Sequence, residues 1–63
     1  MMADEKKVLR LLKTARGQMD GIIKMVEENR YCIDISQQLM ATEAILNRAN
    51  KEILAAHLKH SVQ

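Results

Sequence analysis

Hydrophobic residues recur along this chain at the three- and four-residue spacing of amphipathic helices, in two long segments. In the first segment, at 100° per residue, a narrow apolar stripe contains Val8, Leu12, Ala15, Met19, Ile22 and Val26. Leu11 and Ile23 widen this stripe on either side. In the second, a heptad seam with one polar member contains Ile35, Leu39, Thr42, Leu46, Ala49, Ile53 and Ala56. Beside this seam runs a further apolar row, made of Ile33, Met40, Ala44, Leu54 and Leu58. The pattern predicts two long helices.

One short break separates the two predicted helices. Asp4 is an acceptable N-cap, and the first helix is predicted to run from there to about residue 28. The break falls at residues 29–31, because Asn29 tolerates the left-handed conformation that closes a helix. The second helix is predicted from about residue 32 or 33 to roughly residue 61, with Asp34 in its first turn.

The composition favours an all-α protein with a single domain over residues 1–63. The chain has no proline, two glycines and one aromatic residue, so it is poor in strand and turn formers. Two long helices joined by a short turn form an antiparallel hairpin. One hairpin cannot cover two such wide apolar faces, so we expect two hairpins to dimerise into a four-helix bundle, with a tetramer as a further possibility. We expect no cofactor to be required for folding.

Charge and hydropathy place the protein among soluble chains. Ten Lys and Arg residues against eight Asp and Glu residues give a mildly basic balance, which permits nucleic-acid binding. No apolar run approaches the ~20 residues that a membrane span needs, and no signal-peptide hydrophobic region follows the N-terminus. The lone cysteine fits a reducing compartment. We therefore expect a cytoplasmic protein with no membrane partner.

The candidate chemistry lies at the two ends of the second predicted helix. Cys32 is the only cysteine, and His57 follows it 25 residues later, about 37 Å away on one helix. The two side chains cannot meet within a chain. An antiparallel pairing of second helices across a two-fold axis would set Cys32 of one protomer beside His57 of the other, and would do so twice. The alternative is that Cys32 is a small buried hydrophobe and that His57 and His60 are solvated.

A basic strip is predicted on the first helix, opposite its apolar stripe. Lys6, Arg10 and Lys13 lie within about 60° of one another, and Lys7 lies beside them. The strip could follow DNA phosphates, or it could be an ordinary solvated helix face. The sequence contains no nucleophile with its base, no phosphate loop and no paired carboxylates of an active site, so we expect no enzyme.

The stretch RGQMDGIIKMVEENRYCIDISQQL, followed by His57-Leu58, resembles the copper-sensitive operon repressors and their nickel/cobalt- and formaldehyde-responsive relatives. The resemblance covers residues 7–62. It implies a transcriptional repressor that binds double-stranded operator DNA as a homodimer or homotetramer and is released by an inducer. It also implies that the inducer is bound between protomers by the Cys32 thiolate and the His57 imidazole, with Tyr31 next to them.

The resemblance leaves the inducer open, because the third ligand position departs from the copper-responsive pattern. Copper-responsive members are similar but have a second cysteine four residues after the histidine, where this chain has Ser61. A site of Cys32, His57 and a serine hydroxyl would suit soft copper(I) poorly, and His60 is a candidate third ligand. Formaldehyde-responsive members resemble this chain in lacking the second cysteine. Copper, nickel or cobalt, zinc and formaldehyde all stay candidates.

The DNA surface departs from the resemblance as well. Family members usually carry arginines at the positions of Leu11 and Thr14. Neighbouring basic residues would substitute for them, namely Arg10, Lys13, Arg16 and, on the second helix, Arg48. Many relatives also have a short third helix, so we expect either a minimal member or a truncated chain. The alternative function is a helical oligomer that binds metal or thiol-reactive species without binding DNA, or that assembles with a true repressor.

Overall fold

The computed structural model describes residues 4–61, with side chains for residues 4–59, and these residues form two antiparallel α-helices. Helix α1 is Glu5–Glu27 and helix α2 is Cys32–Ser61. No strand occurs in this part of the chain. The all-α hairpin is therefore confirmed, and the predicted helix ends are right to within about one residue.

Local hydrogen bonds explain where α1 begins and ends. The Asp4 side chain accepts a hydrogen bond from the Lys7 backbone N–H at 3.1 Å, which caps the first turn. At the other end Asn29 has a φ of 54°, in the left-handed region. Its N–H donates to the Val26 carbonyl, and the Arg30 N–H donates to the Met25 carbonyl, both at 3.0 Å. This pair of bonds is a Schellman motif, which turns the chain sharply after α1.

The core of the hairpin is a thin line of side chains between the two helices. Buried members from α1 are Val8, Leu11, Ala15 and Ile22, and those from α2 are Thr42 and Ala49. Because several of these side chains are small, the hairpin alone buries little apolar surface.

The structure corrects the predicted apolar stripe of α1. Leu11, at one edge of the predicted stripe, is buried at 4% exposure, whereas Leu12, inside that stripe, is 42% exposed. Met19 and Val26 of the stripe are exposed too. The physical reason is that α2 packs against only one edge of the broad apolar arc of α1, and the other edge stays uncovered.

The heptad seam of α2 likewise contains both buried and exposed residues. Thr42 and Ala49 face α1, while Leu39, Leu46 and Ile53 are exposed. Both helices therefore carry a second apolar face that the hairpin leaves open.

Two side-chain contacts define how the helices are aligned. The Thr42 hydroxyl donates a hydrogen bond to Gln18 Oε1 at 2.8 Å, and Lys7 Nζ lies 2.8 Å from Glu52 Oε1. The end of α2 is therefore level with the start of α1, in a rod with principal extents of 52 × 18 × 11 Å. Neither described helix is long and apolar enough to cross a membrane.

Candidate functional site

Cys32 is the first residue of α2, and its thiol is exposed. The alternative interpretation of Cys32 as a buried hydrophobe is therefore wrong for the hairpin. Tyr31 precedes it with an exposed ring, and the Tyr31 carbonyl accepts the Ile35 N–H at 3.2 Å. This bond closes the first turn of α2. The thiol thus stands at the turn end of the hairpin, where a ligand or a second protein chain can reach it.

His57 lies near the opposite end of the same helix, and its side chain is exposed. With 25 residues between them, the two side chains are separated by about 37 Å along the axis. In residues 4–59 no group of three or more His, Cys, Asp and Glu side chains could hold a metal ion. The His60 and Ser61 side chains, predicted as further ligands, lie outside the described residues. One hairpin alone does not assemble the predicted site from Cys32 and His57.

Cys32 and His57 nevertheless share one line along α2. At 100° per residue they fall within about 40° of Leu39 and Leu46, on the arc that α1 leaves uncovered. The four side chains form a ridge with an apolar centre and a metal-binding type of residue near each end. A second α2 laid antiparallel on this ridge would bring each Cys32 to the partner's His57.

The basic strip of α1 is exposed on its outer surface. Lys6, Arg10 and Lys13 line a shallow, open hollow together with Leu9 and Thr14. Such a surface can approach a phosphate backbone without rearrangement of the hairpin.

The other residues predicted to bind DNA are placed less uniformly. Lys7 turns toward α2 and pairs with Glu52, which offsets its charge. Arg16 is exposed between the basic strip and the open apolar face. Leu11, where the resemblance implied an arginine, is a buried member of the core and adds nothing to the outer surface. The Thr14 hydroxyl donates to the Arg10 carbonyl at 2.8 Å and is exposed.

A second row of basic residues lies on α2, and only one of its members was predicted. Arg48 and Lys59 are exposed and lie within about 20° of each other, three turns apart. Glu52, the partner of Lys7, falls within about 40° of both, so this row borders the side where the two helices meet. The eleven-residue spacing from Arg48 is the sequence signal that would have identified Lys59.

Comparison with known proteins connects these features to a family. The family model described as metal-sensitive transcriptional repressor matches residues 4–63. The chain is 48% identical over 59 residues to the copper-sensing transcriptional repressor CsoR of Mycobacterium ulcerans. The aligned region covers 92% of this chain and 50% of that protein. It is 41% identical over 59 residues to CsoR of Mycobacterium tuberculosis H37Rv, covering 94% of this chain and 50% of that protein.

A more distant relative is CsoR of Bacillus subtilis, with 36% identity over 59 residues, which cover 94% of this chain and 58% of that protein. The chain thus spans about half the length of these curated relatives. The family match, which extends over nearly the whole chain, confirms the resemblance of the sequence. This chain belongs to the metal-sensitive transcriptional repressor family.

Proposed function

We propose that this protein is an inducer-responsive transcriptional repressor that acts in the cytoplasm on double-stranded operator DNA. The inducer is held between protomers, by Cys32 of one and His57 of the other. The observation that carries the proposal is the position of these two residues at opposite ends of one exposed ridge of α2. Membership in a family of metal-sensitive repressors supports the DNA-binding part.

The accessible surface of the hairpin supports self-association. A compact monomer of 7.2 kDa is expected to expose about 4,100 Å². This chain exposes 5096 Å², an excess of about 1,000 Å² over that expectation. A stable interface buries about 800 Å² on each partner, so burial of the open apolar face in a dimer would account for the excess. A homotetramer would form when two such dimers associate.

The inducer that best fits the relatives is copper, because the relatives described above are copper-sensing repressors. A cysteine thiolate is a soft ligand that selects copper(I), and an imidazole nitrogen also suits copper. His60, and not the Ser61 hydroxyl, would then supply a third ligand that fits this ion. Cys32 and His57 are both exposed, so each side chain can be reached from solvent. When bound, one such ion at each end of the ridge would crosslink the two protomers.

The release of DNA follows from the location of the ligands between protomers. An ion held by both chains favours one arrangement of the two hairpins over others. The basic strips of α1 lie on the outer surfaces, so their separation depends on that arrangement. Inducer and operator then stabilise different arrangements, and each weakens the binding of the other by the same factor.

A selection of sheared genomic DNA tests this function directly. The reduced protein is incubated with the fragments at near-physiological salt, alone or with copper(I), nickel(II), zinc(II) or formaldehyde, and retained fragments are sequenced. We expect a few enriched sites that are lost with copper(I). Loss with another additive would reassign the inducer. No enrichment under any condition would overturn the repressor and favour a helical oligomer that binds metal or thiol-reactive species.

Cys32→Ala tests the assigned ligand. We expect this variant to form the same oligomer and to bind operator DNA with unchanged affinity, because a small exposed side chain is lost. The response to the inducer should disappear. Gln37→Ala, an exposed change one turn further along α2, is the matched control and should respond normally. A Cys32→Ala protein that still releases DNA on addition of inducer would eliminate this site.

A further inference from the structure

Glu43 and Asn47 are polar residues near the centre of the open apolar face of α2. Glu43 is surrounded on the helix surface by Leu39, Met40 and Leu46, which are 41%, 57% and 44% exposed, and by Asn47 one turn later. Neither the Glu43 carboxylate nor the Asn47 amide has a hydrogen-bond or ion-pair partner within the described part of the hairpin. A carboxylate and an amide at the centre of an apolar face would need partners once that face is covered.

The pairing that joins Cys32 to the partner's His57 places these two residues beside the symmetry axis. The two-fold axis then crosses α2 midway between Cys32 and His57, next to Ala44 and Ile45. Glu43 lies just before this point and Asn47 just after it. In an antiparallel pair, Glu43 of one chain is level with the partner's Asn47 to within about one residue, or roughly 1.5 Å. By symmetry this contact occurs twice.

The chemistry of the two side chains is complementary. The Asn47 amide donates and the Glu43 carboxylate accepts, and a hydrogen bond to a charged acceptor is stronger than one between neutral groups. Such a bond satisfies both polar groups when water is removed from the interface.

The same contact discriminates against wrong alignments. Leu39, Leu46 and Ile53 repeat every seven residues, so a slip of one heptad would keep apolar side chains in contact. That slip would set Glu43 against the partner's Leu39 or the partner's Ile53, whose side chains offer its carboxylate no hydrogen-bond donor. It would also move Cys32 about 10 Å away from the partner's His57. The apolar repeat alone therefore does not define the register, but a buried polar pair can.

We propose that Glu43 and Asn47 form a reciprocal hydrogen-bonded pair across the two-fold axis of the dimer and select the register in which Cys32 meets the partner's His57. Both are positioning residues that act on the inducer site from about 19 Å away along α2. The inference rests on the antiparallel dimer of the proposed function, and it adds the residues that align that dimer.

The register can be measured without DNA or inducer. A nitroxide label on the single cysteine reports the distance between the two Cys32 positions by pulsed electron spin resonance. In the proposed register this distance has one narrow component at about 37 Å, and a slip of one heptad changes it by about 10 Å. A labelled wild-type protein that is monomeric, or that shows a different single distance, would overturn the inference.

Substitution of the pair should change this distance. Asn47→Glu opposes two carboxylates at each contact, and we expect the component at about 37 Å to be replaced by slipped registers or lost with the dimer. Gln37→Glu, which adds the same charge to an exposed position away from the open face, is the control and should keep the wild-type distance. Retention of the narrow wild-type distance in Asn47→Glu would overturn the inference.

A mixture of two single variants distinguishes contact between chains from contact within one helix. In the Glu43→Asn variant positions 43 and 47 both carry amides, and in the Asn47→Glu variant both carry carboxylates. A heterodimer of the two variants contains only amide–carboxylate contacts across the axis. We expect native mass spectrometry to show the heterodimer above its statistical share, with the distance of about 37 Å recovered. A statistical mixture would overturn the proposal, even if Asn47→Glu alone does not dimerise.

The outcomes are separable from those of the DNA selection. A narrow distance of about 37 Å in a protein that enriches no genomic site would retain the register pair and overturn the repressor. Enriched, inducer-sensitive sites in a protein whose distance between the two Cys32 positions is unchanged by Asn47→Glu would retain the repressor and overturn the register pair.

Discussion

Thr42, the polar member of the heptad seam in α2, is the most deeply buried side chain of the described hairpin, at 1% exposure. Its hydroxyl lies 2.8 Å from Gln18 Oε1 and 3.2 Å from the carbonyl of Gln38. No buried polar side-chain atom in the described residues lacks a partner. The Thr42–Gln18 bond thus places a satisfied polar contact at the middle of a thin core and links the two helices at one defined level.

Removal of this hydroxyl should weaken the hairpin. Thr42→Val keeps the shape of the side chain but leaves the half-buried Gln18 carbonyl without its donor, and we expect a loss of about 1 kcal/mol in the free energy of unfolding. Urea unfolding at a single fixed protein concentration measures it. In a double-mutant cycle with Gln18→Ala, the two losses should not add. Strict additivity would show that the bond contributes nothing.

At the scale of an element, the turn between the helices depends on a residue that accepts a positive φ. Asn29 does so at 54°, and its N–H closes the helix end on the Val26 carbonyl. The turn was predictable from the sequence because its cause is local: an asparagine at the point where the apolar pattern of α1 stops. The antiparallel arrangement of the helices follows directly from this sharp reversal.

Substitutions at Asn29 should separate backbone strain from side-chain loss. Asn29→Val forces a β-branched residue into the left-handed region, and we expect it to lower the free energy of unfolding by about 1–2 kcal/mol. Asn29→Gly should be nearly neutral, because glycine adopts this conformation freely. Arg30→Val is a matched control at the next position, where φ is not positive. Equal losses for Asn29→Val and Arg30→Val would disprove the role assigned to the left-handed turn.

At the scale of the whole molecule, the hairpin is a narrow rod with one open apolar face. We expect its melting temperature to rise with protein concentration, because folding and association are then linked. Leu46→Glu places a charge on the ridge of α2 without disturbing the hairpin core, and it should shift the protein toward monomer in sedimentation experiments. Gln37→Glu should leave the oligomer intact. A concentration-independent melting temperature would contradict the dimer.

The outer surface carries the other prediction at this scale. Loss of Arg10 or Lys13 by substitution with glutamine should flatten the dependence of log Kd for DNA on log salt by about 0.9 for each phosphate contact removed. Each change acts in every protomer at once. Lys7→Gln should have a smaller effect, because the Lys7 ammonium already pairs with Glu52. Equal slopes in all three variants and the wild type would show that DNA does not use this face.

The sequence by itself determined those features that arise from residues three or four positions apart. These are the two helices, the Asp4 cap, the turn at Asn29 and the location of Cys32 and His57 near opposite ends of α2. Local hydrogen bonds and apolar periodicity are sufficient for each of them. The expectation of a second chain also followed from helix length, since about 37 Å of helix separates the two candidate ligands.

Only the tertiary structure decided which edge of each apolar arc faces the other helix. Leu11 and Leu12 are equally apolar and adjacent in sequence, yet one is buried and the other exposed. The same choice of edge buries Thr42 against Gln18, pairs Lys7 with Glu52 and leaves Glu43 on the open face. The physical reason is that each apolar arc is wider than one neighbouring helix can cover. Packing of the two helices together, and not the pattern of either one, selects the covered edge.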